Sequence, residues 1–282
     1  MIKSSILAFA MLSYATFAQA MHYDVRVGTS NGPVAGSKID IDFYGDFDLA
    51  GKLPVDTQTG YKIFPGYFDD LEGGPRLTDD PGFQSFANTF KYGEEIHFRA
   101  LGTLSYWDPN TGLWGDAASG ATVTLYGAIP SDVFVNYMLN PRNSTYAAQY
   151  NYYAKGTVFS TDGISGPETA AIDAASQNGT FHSHLDWALS SSAPAGAYLL
   201  TLQIWSPTME NGEQKYIDSD PFHVLFKSAG ITQAQYDEAF NLRIAAPVPE
   251  PETWAMLGIG LSLLGWRFRK RHNRESIQLS AM

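Results

Sequence analysis

The strongest constraint on this chain is a period of two. Ile39, Ile41 and Phe43 alternate with Asp40, Asp42 and Tyr44; Val123 and Leu125 alternate with Thr122 and Thr124; Phe222, Val224 and Phe226 alternate with His223 and Leu225. Successive side chains of a strand point to opposite faces, so this alternation marks half-buried strands. Tyr198 to Trp205 is a longer apolar run, suited to a central strand. Turn residues punctuate the runs, as at Asp108-Pro-Asn-Thr-Gly112 and Pro194-Ala-Gly196. The pattern predicts an all-β fold, an antiparallel β-sandwich. Only Thr232 to Arg243 reads as helix, with Thr232 as its cap and Ile231, Gln235, Ala239 and Leu242 as a weak stripe. Residues 128 to 178 are rich in Tyr, Asn, Ser, Ala and Gly with a poor pattern, and read as a long irregular insertion.

Composition narrows the function. With aromatics at 14% of 282 residues, the chain has ample material for a core, and disorder throughout is excluded. It has no cysteine, which removes disulfides, thiolate-bound zinc and thiol catalysis together. The net charge is −11, and residues 21 to 247, with 12 basic and 26 acidic side chains, carry −14. Such a surface repels phosphate backbones, so nucleic acid is not an expected partner, whereas divalent cations are favoured.

The two ends carry the organisation. Residues 1 to 20 place Lys3 before an apolar run and close on Ala18-Gln19-Ala20, the pattern of a secretory signal peptide handled by a translocon and a signal peptidase. An exported β-rich domain is expected over residues 21 to 245. Residues 246 to 272 then run through Val248-Pro249-Glu250-Pro251, the apolar stretch Trp254 to Trp266, and the basic residues Arg267, Arg269, Lys270 and Arg271. Pro249 and Pro251 cannot donate to a ladder, which keeps this collar out of any sheet interior. As a helix, Trp254 to Trp266 would span about 20 Å, short of the ~30 Å hydrocarbon layer. The basic cluster acts as a membrane stop and assigns residues 273 to 282 to a cytoplasmic tail, leaving the domain outside.

These residues resemble a PEP-CTERM sorting signal, found on exported proteins of Gram-negative bacteria and cyanobacteria. The resemblance implies recognition of Val248, Pro249, Glu250 and Pro251 by an exosortase, an integral-membrane transpeptidase-like enzyme. It implies an inner-membrane stage with the body in the periplasm, then delivery to the cell envelope or extracellular matrix, often alongside exopolysaccharide.

Within the body the best constellation is His182-Ser183-His184-Leu185-Asp186-Trp187. On a strand, His182, His184 and Asp186 share one face, and two imidazoles with a carboxylate suit zinc or another borderline divalent metal. His22 and His223 are candidates to complete the set, and His97 shares a strand face with Glu95 and Arg99. Asp79 and Asp80, with Asp69, Asp70 and Glu72, form an acidic group of the kind calcium takes. His22-Tyr23-Asp24, Thr78-Asp79-Asp80-Pro81-Gly82-Phe83, His182-x-His184-x-x-Trp187, Gly196-x-Tyr198 and Asp220-Pro221-Phe222 occur in an order similar to that of bacterial surface-anchored proteins, some under zinc-repressor control. This likeness implies zinc handling at the cell surface, with His22, His182 and His184 at the matching positions.

The expectation is a non-enzymatic, metal-binding exported protein. One alternative is an exopolysaccharide-binding matrix protein, with Trp107 and Trp114 beside the Asp108 to Gly112 turn as stacking platforms. Another is a metal-dependent enzyme of cupin-like chemistry. Here the downstream glutamate of that pattern is missing, and no nucleophile elbow, P-loop or H-E-x-x-H motif is present.

Overall fold

The computed structural model describes residues 23–45, 53–68 and 74–244, without the side chain of Tyr23. The chain divides into two units, residues 1–243 and 244–282, and the described elements belong to the first except for Ile244. In chain order they are β1 (Tyr23–Thr29), β2 (Ser37–Gly45), β3 (Lys62–Tyr67), β4 (Leu77–Thr78), β5 (Gly82–Gln84), β6 (Glu95–Asp108), β7 (Leu113–Asp116) and β8 (Val123–Tyr126). Helices α1 (Ser131–Leu139) and α2 (Ser144–Ala154) follow, then β9 (Thr157–Ser160), β10 (Gly163–Ser165), β11 (Thr169–Ala174), β12 (His182–Ser183) and β13 (Asp186–Leu189). The last group is β14 (Ala197–Trp205), β15 (Met209–Glu210), β16 (Glu213–Gln214), β17 (Tyr216–Ile217), β18 (Phe222–Lys227) and α3 (Gln233–Ile244).

The fold is mostly β, and the strands form three principal sheets. Their orders are β12-β5-β1-β2-β17, β10-β9-β8-β13-β4 and β11-β6-β14-β18-β3, with β7 added beside β6. Alternation works as expected in β2, where Ile39, Ile41 and Phe43 are buried between more exposed neighbours. Val25 and Phe43 from the first sheet, Leu125 and Trp187 from the second, and Phe98, Leu200 and Phe226 from the third meet in one continuous apolar core. β18 is buried along its whole length. Helix α3 supplies one neighbour, for the Tyr236 hydroxyl donates to the Leu225 carbonyl at 2.7 Å.

Two expectations need correction. The pairing is not purely antiparallel: β1 with β5, β2 with β17 and β3 with β18 are parallel. Alternation reports which face is buried and carries no information on strand direction, so a period of two could not distinguish these pairs. The stretch from 128 to 178 is not irregular, since it holds α1, α2, β9, β10 and β11. Helix α2 buries nothing and shows no apolar stripe, and in α1 the apolar residues Phe134, Val135, Met138 and Leu139 do recur at helical spacing, but over only nine residues. What starts α2 is local, namely the Asn143 side chain accepting from the backbone N–H groups of Thr145 and Tyr146.

Helix α3 matches the helix expected near the C-terminal end. Thr232 and Gln235 cap it reciprocally, the Thr232 N–H donating to Gln235 Oε1 at 3.0 Å and the Gln235 N–H to Thr232 Oγ1 at 3.3 Å. Its buried stripe is Tyr236, Ala239 and Arg243, while Leu242 is exposed. Among the described residues no helix is long and apolar enough to cross a membrane. The expected signal peptide, the sorting segment with its Trp254 to Trp266 stretch, and the expected tail after it lie outside the described residues.

Candidate metal centre

The centre is built where β12, β5 and β1 lie side by side. Parallel pairing puts Asp24 of β1 opposite Gly82 of β5, and His182 of β12 pairs with Gln84. Gly82 has no side chain, and that absence makes the site. A Cβ there would stand 2.4 Å from Asp24 Oδ1 and 2.7 Å from His184 Cε1, closer than atoms can approach. The His184 ring, just past the end of β12, occupies that space. Trp187, completely buried, donates its indole N–H to the Pro81 carbonyl at 3.2 Å and ties the segment before Gly82 to the chain after His184.

Three donor groups converge. His182 Nε2 and His184 Nε2 are 3.0 Å apart, and each lies 3.5 Å from one of the two Asp24 carboxylate oxygens. Zinc holds imidazole and carboxylate ligands at about 2.0–2.2 Å, and the edge of a tetrahedron with such bonds is about 3.3–3.6 Å. The two histidine–aspartate distances, each to its own carboxylate oxygen, match such an edge, and the 3.0 Å between the two nitrogens is shorter than it. Gln84 Nε2 donates to Asp24 Oδ2 at 2.8 Å, fixing the carboxylate.

The other nitrogen of His184 is held from behind. Nδ1 lies 3.0 Å from the Asp79 carbonyl, with Asp80 Oδ1 at 3.4 Å and Asp79 Oδ2 at 3.8 Å. A proton on Nδ1 donates to this acceptor group, so loss of the ring's other proton leaves the Nε2 lone pair facing Asp24 and His182, the outer-shell arrangement common to metal-bound histidines. The same surroundings push the His184 pKa up to about 9, chiefly through its hydrogen bond to Asp80, with the Asp79 carbonyl and the charges of Asp24 and Asp80 adding to it against the opposing effect of burial. Asp79, Asp80 and His184 form a second group whose ligand atoms are mutually close.

The profile of a protein family described as a PEP-CTERM protein-sorting motif matches residues 247–271. The chain carries a PEP-CTERM sorting signal. The match takes in Val248, Pro249, Glu250 and Pro251 and extends through Arg267, Arg269, Lys270 and Arg271. A PEP-CTERM signal supports an exported protein that passes the membrane and is processed by an exosortase. No curated protein and no solved structure matches the chain. The PEP-CTERM segment thus speaks for delivery, and the body must be read from its own geometry.

That geometry departs from the expected ligand set in several places. Asp186 does not join His182 and His184. The ladder breaks after Ser183, Leu185 turns into the core, and Asp186 reappears exposed at the head of β13, opposite Tyr126. A period of two cannot be carried across that break. Asp24 takes the place expected of Asp186.

His223 is only 3% exposed and far from available. Its Nδ1 bonds Thr201 Oγ1 at 3.0 Å, while Nε2 meets Thr59 Oγ1 at 2.9 Å and Asp56 Oδ2 at 3.2 Å. His22 lies outside the described residues, as do Asp69, Asp70 and Glu72 of the acidic group. His97 is occupied by Glu95 Oε2 at 3.0 Å and packs edge-on against Trp205.

The tryptophans are not open platforms. Trp107 is 1% exposed and presents no ring face to a sugar. Trp114 is half-buried, donates its indole N–H to the Ala239 carbonyl at 3.0 Å and carries the Arg243 guanidinium 5.5 Å from its ring centroid.

Proposed function

We propose that the exported body binds a divalent transition metal such as zinc, with His182, His184 and Asp24 as ligands and a fourth position open to water or to another donor. The convergence of two imidazole nitrogens and one carboxylate at 3.0 and 3.5 Å carries this reading. It is supported by the Asp79 and Asp80 oxygens behind His184 and by the missing side chain at Gly82. The donor set is borderline rather than hard, which favours zinc over calcium at this position. In the cell the reading is of a non-enzymatic binding protein. Its body stands in the periplasm while the sorting signal is intact and reaches the envelope or matrix after exosortase processing.

The test is metal content. The purified full chain, equilibrated with zinc and dialysed, is expected to retain one zinc per chain by elemental mass spectrometry. Asp24→Ala and His184→Ala are expected to retain none, and Asp186→Ala to retain the full amount. Absence of bound zinc, or equal zinc in Asp24→Ala and the parent chain, overturns the reading. A His22→Ala arm decides whether that residue supplies the fourth donor.

A further inference from the structure

The exposed side of α1 is its apolar side. Phe134, Val135, Met138 and Leu139 are 47%, 50%, 59% and 73% exposed. At about 100° per residue they fall within one arc of roughly 140° on the helix. The opposite side is where the helix meets the protein: Val133 is buried and Tyr137 stacks on Tyr150 of α2, with ring centroids 4.2 Å apart and planes 15° from parallel. An ordinary surface helix turns its apolar stripe inward. Here the stripe faces out, which marks a surface that meets another phase or partner.

Charge selects the occupant. Residues 128 to 156, which hold both helices, contain Asp132 against Arg142 and Lys155, a net charge of +1 within a body of −14. Arg142 stands exposed in the turn between the helices and Lys155 exposed at the end of α2. Tyr146, Tyr150, Tyr152 and Tyr153 line α2. The exposed carboxylate of Asp132 borders the stripe at the start of α1, while the hairpin as a whole combines that apolar face with tyrosines and two exposed cations, the composition of an element that lies in a membrane interface. A second copy would bring another strongly acidic body against the first, whereas an anionic bilayer is repelled by most of this body and admitted at the hairpin. The PEP-CTERM segment takes the same chain to a membrane.

We infer that the α1–α2 hairpin docks on an anionic lipid bilayer, with Phe134, Val135, Met138 and Leu139 in the boundary between headgroups and acyl chains and Arg142 among the phosphates. This contact is separate from the metal centre and from insertion of the sorting segment.

The chain has no cysteine, so single labels can be placed cleanly. The experiment puts an environment-sensitive fluorophore on Leu139→Cys and, in a second sample, on Ile217→Cys, an exposed position on β17. Both full chains are reconstituted into vesicles of neutral and anionic phospholipid containing acyl-chain quenchers. The expected result is several-fold stronger lipid quenching at 139 than at 217, lost when Phe134→Asp and Met138→Asp are added and when anionic lipid is omitted. Circular dichroism of the double variant checks that the fold persists. Equal lipid quenching at 139 and 217 overturns the inference. So does burial of the 139 label that grows with protein concentration in the absence of lipid, which would assign the stripe to a second copy.

Discussion

Two histidine clusters in this body share an inventory and differ in what surrounds it. At His223 the buried carboxylate of Asp56 is answered by Arg243, whose Nε lies 3.0 Å from Asp56 Oδ2 and whose Nη2 also bonds it. Both ring nitrogens already have partners, and burial holds the imidazole neutral, lowering its pKa to about 4 even though Asp56 pulls the other way. At His184 three carboxylates gather around two imidazoles, the neighbouring His182 side chain is 59% exposed, and the pKa moves the opposite way. A histidine with a carboxylate beside it is thus not yet a metal site. What separates the two is whether a protein cation has already taken the cation's place and whether the donor nitrogen can be reached.

The comparison can be broken by removing groups from either side. The largest effects are expected where a ligand or the buried cation is lost. His184→Ala should abolish stoichiometric zinc binding and, in chelator, lower the urea midpoint at neutral pH, where the raised pKa of His184 still contributes stability. Arg243→Met should leave zinc binding in place while costing roughly 3–5 kcal/mol of stability by stranding the Asp56 charge, with one zinc still bound in the folded fraction. If Arg243→Met instead lowered zinc affinity while leaving stability intact, the two clusters would have been assigned the wrong way round.

Gly82→Ala should come next. Its new methyl has to displace Asp24 or His184, so calorimetric titration should show zinc binding weakened nearly as far as by loss of a ligand. An unchanged isotherm would mean that the close packing above Gly82 is irrelevant to binding. Asp80→Asn acts at one remove, through the orientation and basicity of His184, and should weaken zinc about 10–100-fold. A Glu at position 80, which keeps the charge, should recover part of that loss.

In the pH dependence the two clusters should have opposite signs. His223 has a folded pKa of about 4, below its ordinary value of 6.5. Its neutral form therefore stabilises the fold fully above pH 6.5, and that contribution is lost as pH falls from 6.5 toward 4. The titratable and charged groups facing it are Asp56, Arg243 and Tyr61. For His184, facing Asp24, Asp79 and Asp80, the folded value is about 9. In metal-free protein its contribution is complete below pH 6.5 and is lost as pH rises from 6.5 to 9. Urea midpoints measured across this range should show His223→Gln flattening the acid limb and His184→Gln the alkaline one. Identical curves for both variants and the parent would contradict the assignment.

How far local pattern reached can be argued from a few residues. Ile39, Ile41 and Phe43 declared their strand because one face is core and the other is not. The helices α1 and α2 went undeclared because α1 offers only nine residues of pattern and α2 carries no apolar stripe. His182 and His184 were readable as a pair. Asp186 was misplaced with them because the regular spacing of a strand was extended across the break at Leu185. Asp24 was hidden for a different reason. It meets the histidines only through the parallel pairing of β1 and β5, a contact between residues 58 positions apart that leaves no trace in local spacing. Gly82 stood in the Thr78 to Phe83 motif with no role of its own, and its use is to leave room for a ring.

The most direct test of the central claim is anomalous diffraction at the zinc edge from crystals of the full chain grown with equimolar zinc. The account predicts one strong peak about 2.0–2.2 Å from Nε2 of His182, Nε2 of His184 and a carboxylate oxygen of Asp24. A peak at His223, or no peak within bonding distance of those three donors, would contradict it.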